Sequence, residues 1–338
     1  MKPFLLAAAA AASMLLGLAP SAQAADPPPY KVIQRVAGPD GGWDYASFDA
    51  ARGRVYIAHG TQVLSLDVRT NKLDPDFAKG DRLHAVVPVP GSSVLVTTNS
   101  GDNSVRILNA ANGALIKSLT VADDADGAVY DPFTHFVIVI NGDKGLVTLV
   151  DPKRREVAGT IQVGDALEFP AVDGKGRLYV NVESTGQIAV VDLKTRKLVT
   201  HYPMAGCTRP TGLAYVLGDR LVSACGGGTA KILKASTGQE LASFKIGGFP
   251  DAVIYDPVRK LALIPTALDG MLNVIALSGK DNNALVGEAP TQVGARTGAV
   301  DPKTGRVYLP TAEYILPVPA GQRPTTKPGT FQILVLAR

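Results

Sequence analysis

Short runs of apolar and β-branched residues follow one another along the chain, each broken by Gly, Pro, Asp or Asn. Residues 95–98, 105–108 and 114–120 form one such series. Runs of this length read as alternating or buried strands, not as amphipathic helices. Over them lies a longer period. Phe48-Asp49…Val55-Tyr56-Ile57 returns as Tyr130-Asp131-Pro132…Val137-Ile138 and as Val172-Asp173-Gly174…Leu178-Tyr179-Val180. Tyr255-Asp256-Pro257…Leu261-Ala262-Leu263 and Val300-Asp301-Pro302…Val307-Tyr308-Leu309 repeat it again, and weaker copies start at Val89-Pro90-Gly91 and Leu217-Gly218-Asp219. A second marker, the polar residue closing a later strand, falls at Asp67, Asn109, Asp151, Asp192 and Lys234.

Seven units of roughly 40–45 residues, each with four strands, predict an all-β, seven-bladed β-propeller of four-stranded antiparallel blades. Residues 30–38 read like the last strand of a blade, while residues 331–336 read like a third strand with nothing after it. The N-terminal strand is therefore expected to complete the last blade and close the ring, pairing edges that would otherwise be bare.

Composition adds the compartment. Residues 1–24 read as a cleavable export signal, with Lys2, an apolar run over 4–18 and the cleavage site Ala22-Gln23-Ala24. That run is shorter than the ~20 residues of a membrane span. Residues 25–29 form an extended, Pro-rich leader, and 30–338 the propeller. The expectation is a periplasmic or secreted monomer with no transmembrane segment. The chain's 2 cysteines, Cys207 and Cys225, are expected to form one disulfide within a blade. A net charge of +4 is too small to call for nucleic acid, and no such partner is expected.

The stretches VLVTTNSGDNSVRILNAANGALIKSL (94–119) and RLYVNVESTGQIAVVDLKTRKLVTHY (177–202) closely resemble the YVTN-type β-propeller repeat of exported bacterial proteins. The resemblance covers most of residues 30–338. It implies the fold and carries over no catalytic residue, since the repeat positions are structural. Some proteins with this repeat are labelled lactonase-like. Ala267, Cys225 and Pro310 stand where the family often has Thr-Asn.

In a propeller the loop entering each blade and the loop between its second and third strands open on one face, here called the top. The entry loops are 38–45, 79–85, 122–127, 164–170, 206–212, 247–251 and 286–298. Acids outnumber bases on the top loops, whereas Lys153-Arg154-Arg155 and Lys194, Arg196 and Lys197 fall on bottom turns. Such sorting should draw cationic groups to the top and could seat the bottom on an anionic surface. Trp43, Asp44, His84, Asp126, Glu168, Arg209, Asp251 and Arg296 are the candidate ligand-binding residues. A small molecule or protein partner at this acidic funnel is the leading reading, with no catalysis assigned.

The alternative is a hydrolase acting on a lactone or ester. Arg209 and Arg296 would hold a carboxylate and an oxyanion while Glu168, Glu183 or His84 moved the proton. Asp44, Asp126, Glu168, Glu183, Asn141 and Asn181 are oxygen donors suited to Ca²⁺ or Mg²⁺. His59, His84, His135 and His201 lack ligand spacing along the chain, so no cofactor is assigned and Ca or Mg remains the candidate ion. Gly226-Gly227-Gly228 opens no helix, which excludes a phosphate loop, and there is no G-x-S-x-G, H-E-x-x-H or C-x-x-C. The loop 310–330, with Pro317, Pro319, Pro324 and Pro328, reads equally as a flap over the funnel or as a plain insertion.

Overall fold

A computed structural model describes residues 30–279, 282–315 and 324–338. The expected signal segment, the leader and the middle of the 310–330 loop lie outside the described residues. Within them the chain forms seven sheets, each of four antiparallel strands. The first six sheets take their strands in chain order from the inside outward, so each blade is a meander. The inner strand of every blade adjoins that of the next, and Ala299–Asp301 of the seventh returns to Ala46–Asp49 of the first. The ring is closed.

Burial explains the sequence pattern. Middle strands such as Arg220–Cys225 and Leu261–Thr266 are buried along their whole length because both faces are covered by neighbouring blades. They therefore read as continuous apolar runs instead of alternating ones. Outer strands such as Lys197–Pro203 stay largely exposed.

The two repeat markers are turn devices. Asp49 Oδ1 accepts from the amides of Ala51 and Arg52 at 3.0 and 3.1 Å, and Asp256 Oδ1 from those of Val258 and Arg259 at 3.0 Å each. The second marker does the same one hairpin later: Asp151 Oδ1 accepts from Lys153 and Arg154 at 2.9 and 2.8 Å. Asp and Asn suit this position because the short carboxyl or amide mimics a backbone turn. Both markers sit on the bottom turns, so the marker residues themselves lie away from the top-face loops.

In the seventh blade the order departs from the chain. Lys31–Ala37 is the outer strand, antiparallel to Gln332–Ala337, with Lys31 opposite Ala337 and Ala37 opposite Gln332. Tyr30 and Phe331 are both only 2% exposed at the two ends of this seam. Deleting residues 25–37 removes the strand and bares the edge of Gln332–Ala337. The expected outcome is a large fall in melting temperature, at roughly 2–4 °C per kcal/mol for a domain of this size. An unchanged melt of the truncated chain would refute the seam's role.

Cys207, in the entry loop of the fifth blade, is joined to Cys225 at the end of that blade's second strand, with Cα atoms 5.4 Å apart. The sequence separation is 18 residues, a loop whose closure is worth about 3 kcal/mol in the chain-entropy account. Intact-mass measurement should show no alkylatable thiol without reductant. Reduced and alkylated protein should melt several degrees lower, and two free thiols in the untreated protein would overturn the bridge.

Candidate functional site

Every blade places a residue at one equivalent position of its entry segment. Asp44, Asp126, Glu168, Asp251 and Arg296 stand equally far ahead of the turn aspartates Asp49, Asp131, Asp173, Asp256 and Asp301. His84 and Thr211 hold the equivalent places in the two blades whose turn residue has been lost. In blades two to five the register between the first and second strands breaks at this point: between Leu83 and Val86, Ala125 and Ala128, Leu167 and Pro170, and Pro210 and Leu213. Bulges of this kind re-aim a side chain out of the sheet. Two residues earlier, Arg82, Asp124, Ala166, Arg209 and Phe249 all adopt left-handed φ values, from 47° to 57°. Non-glycine residues hold this conformation at a cost of about 1 kcal/mol or more each, and the same conformation recurs in hairpin turns at Asn71, His135, Arg155, Arg196 and Lys260.

The entry loops share the top face with the loops between second and third strands. Glu183 N donates to Ala166 O, Gly226 N to Arg209 O and Gly142 N to Asp124 O. Across the blades the ring positions meet in pairs. His84 Nδ1 lies 2.7 Å from Asp44 Oδ2 and 3.3 Å from Asp126 Oδ1. Arg296 Nε donates to Asp251 Oδ2 at 2.9 Å, and its Nη2 to Trp43 O at 2.6 Å. Threonines fix the backbone beneath: Thr297 donates to Asp44 O at 2.7 Å, Thr98 to Asp126 O at 2.6 Å and Thr211 to Pro250 O at 2.7 Å.

Crowding shows in the electrostatics. Burial, with the charges of Asp126, Asp251, Glu183 and Asp44 behind it, pushes the Glu168 carboxyl up to about 9. Burial and Asp44 raise Asp126 to about 7. Asp251 is raised to about 6, again chiefly by burial, with Arg296 pulling the other way. For His84, burial works against the charged ring, but the hydrogen bond to the Asp44 carboxylate and the charge of Asp126 outweigh it and the imidazole is raised. Tyr45, beneath the ring, is pushed well above its ordinary range by burial and by Asp251, Asp126, Glu168 and Asp44.

The candidates named from sequence divide into three groups. Asp44, His84, Asp126, Glu168, Asp251 and Arg296 converge. Glu183 and Arg209 pair with each other at 2.6 Å further out, where the guanidinium lies 5.6 Å from the Phe249 ring. Trp43 is buried: its ring lies 5.2 Å under the Arg296 guanidinium, stacked on Tyr314 at 6.4 Å and tilted against Phe331 at 5.7 Å. It supports Arg296 from below. Asn141 and Asn181 are not oriented as a joint oxygen site, since their amides donate to Ala122 O and Asp123 O and to Thr211 O and Gly212 O. His59 is buried against Phe331, and His135 bonds Tyr130 in a bottom turn.

Sequence reasoning missed Ser100, whose Oγ lies 2.9 Å from His84 Nε2, and Tyr45, whose ring meets Phe169 at 4.6 Å. Tyr45 belongs to the first blade and Phe169 to the fourth, so this contact crosses the channel. Below it a cavity of ≈ 440 Å³ runs down between Val86, Val87, Pro90, Val129, Tyr130 and Pro132. None of the ring residues lines it. The equivalence of positions across blades, counted back from the turn aspartate, was the signal that would have found the ring.

No family model matches the chain, and no curated protein matches its sequence. Solved structures do. A chain of hydrazine synthase from Kuenenia stuttgartiensis is 15% identical with a TM-score of 0.67, covering 81% of this chain and 92% of its own. A chain of the mitotic checkpoint complex is 14% identical with a TM-score of 0.72, covering 90% and 95%. The WD40 repeats of RRP9 are 11% identical with a TM-score of 0.75, covering 91% and 98%. At these identities the likeness is one of architecture, and the chain is a seven-bladed β-propeller.

Proposed function

We propose that this protein is an exported, YVTN-type binding propeller whose top funnel takes a cationic group, either on a small molecule or on a lysine or arginine of a protein partner. The observation that carries the reading is the composition of the ring. Arg296 is matched with Asp251 and Arg209 with Glu183. Asp44 and Asp126 have His84 as their one ion-pair partner among the described residues, and Glu168 has none, with Arg296 acting on Asp44 only at longer range. Half-buried, under-compensated carboxylates favour a bound cation over their own ionisation in the free state. Export is supported by the leader sequence and the disulfide. Among the described residues no helix is long and apolar enough to cross a membrane.

A hydrolase is the second reading, and one observation favours it. Asp44, His84 and Ser100 stand in line, carboxylate to Nδ1 at 2.7 Å and Nε2 to hydroxyl at 2.9 Å, the order of a serine nucleophile and its base. Against it, the amides of Ser100 and Gly101 already donate to Arg82 O and Asp81 O, so neither is free for an oxyanion. Saturable ester or lactone turnover abolished by Ser100→Ala would establish this reading over binding alone.

For binding, the sign of the pH dependence follows from Glu168. Its folded-state value of about 9 exceeds its ordinary one, so the native protein holds a proton there that the unfolded chain has lost. Stability is therefore expected to fall as pH rises from about 5 to 9. A cation favours the ionised carboxylate, so its affinity should rise over the same range, with proton release on binding. Calorimetry with spermidine in buffers of different ionisation enthalpy measures both, and affinity that falls or stays flat with pH would refute the proposal. Glu168→Gln should raise the melting temperature of the free protein at pH 8, by roughly 2 °C or more, while weakening spermidine. Added salt should weaken it as well, since the Debye length at physiological ionic strength is only ~8 Å.

A further inference from the structure

Three neighbouring ring positions differ in chemistry from the rest. Asp44, His84 and Asp126 come from three successive blades, and their donor atoms lie within 4.8 Å of one another. Both carboxylates face the same ring nitrogen, His84 Nδ1, at 2.7 and 3.3 Å. Neither carboxylate has another hydrogen-bond or ion-pair partner among the described residues. The far nitrogen is held separately: Ser100 Oγ lies 2.9 Å from Nε2 and donates to Arg82 O at 3.4 Å. In the neutral tautomer whose Nε2–H donates to this hydroxyl, the Nδ1 lone pair is turned towards the two carboxylates.

Three lone-pair donors then converge on one point. A single proton there can bridge Nδ1 to one carboxylate and leaves the other without a partner. A metal ion satisfies all three. Hydrogen bonding of the non-ligating imidazole nitrogen is the usual way a protein orients a metal-binding histidine. The backbone under each aspartate is likewise fixed from outside the cluster, by Thr297 and Thr98.

We infer that Asp44, His84 and Asp126 bind a first-row divalent transition metal ion, with its remaining coordination positions open to the funnel. The inference rests on the same under-compensated carboxylates as the cation-binding reading above and places a metal ion on two of them. One imidazole nitrogen and two carboxylate oxygens suit zinc, manganese and their neighbours. Calcium and magnesium prefer all-oxygen shells, so the imidazole favours a transition metal over the Ca or Mg that the sequence raised as candidates. The histidines lack ligand spacing along the chain because the ligands come one per blade, and the ring's curvature supplies the spacing.

The test uses tag-free, full-length protein stripped with EDTA and titrated calorimetrically with ZnCl₂, MnCl₂, CaCl₂, MgCl₂ and spermidine. One zinc or manganese ion per chain is expected, bound at least tenfold more tightly than calcium or magnesium. His84→Gln and Asp126→Asn should each weaken zinc by tenfold or more, while Lys197→Ala leaves it unchanged. Circular dichroism confirms that each variant is folded, and the two substitutions back each other up should one fail to fold. Zinc affinity indifferent to both substitutions, or no preference over calcium, overturns the site. If zinc and manganese do not bind but spermidine does, and Glu168→Gln weakens it, the metal site falls and the cationic funnel stands. If nothing binds, both fall.

Discussion

Closure of the ring is the constraint from which the site follows. Seven inner strands can converge on one axis only if the first blade meets the last, and that meeting is secured by Lys31–Ala37 lying along Gln332–Ala337. Once the circle is fixed, any position that recurs in every blade becomes a position on a rim. The bulged entry strands and the left-handed residues two places ahead turn that rim inward. A motif dispersed over more than two hundred residues of sequence becomes a cluster in which His84 touches residues of the blades on either side.

The rim also conflicts with stability. Carboxylates are gathered where water is scarce, and Glu168 and Asp126 respond by holding protons well above their ordinary range. Left-handed Arg82, Ala166 and Phe249 add backbone strain at the same level of each blade. Neutral residues and glycines at these places would relieve both costs. Coordinated departures from local rules of this kind make the rim the first place to look for a function.

Much of the architecture was legible in the sequence because its signals are local. The turn aspartates, the buried middle strands and the orphan strand at 30–38 each report on a few neighbouring residues, and together they specify blades, count and closure. Cys207 and Cys225 were readable because one blade holds both. The site was legible only in outline. Asp44, Asp126, Glu168 and Arg296 were singled out by charge and loop position, but their partners depend on contacts between blades. Ser100 and Tyr45 are an ordinary loop serine and an ordinary strand tyrosine until the fold sets one against His84 Nε2 and the other beneath the carboxylates. Trp43 was expected at the ligand and is instead packed under Arg296, because an aromatic ring in an entry loop gains more from burial against Tyr314 and Phe331 than from the polar mouth.

The contact between Tyr45 and Phe169 has a consequence for traffic. Many rings of this kind are pierced by a continuous passage, but here two aromatic rings from nearly opposite blades meet across it at 4.6 Å. The two rings narrow the passage between the polar rim above and the apolar cavity below, both of which they border. Truncating either ring would widen that neck and bring the two spaces into one.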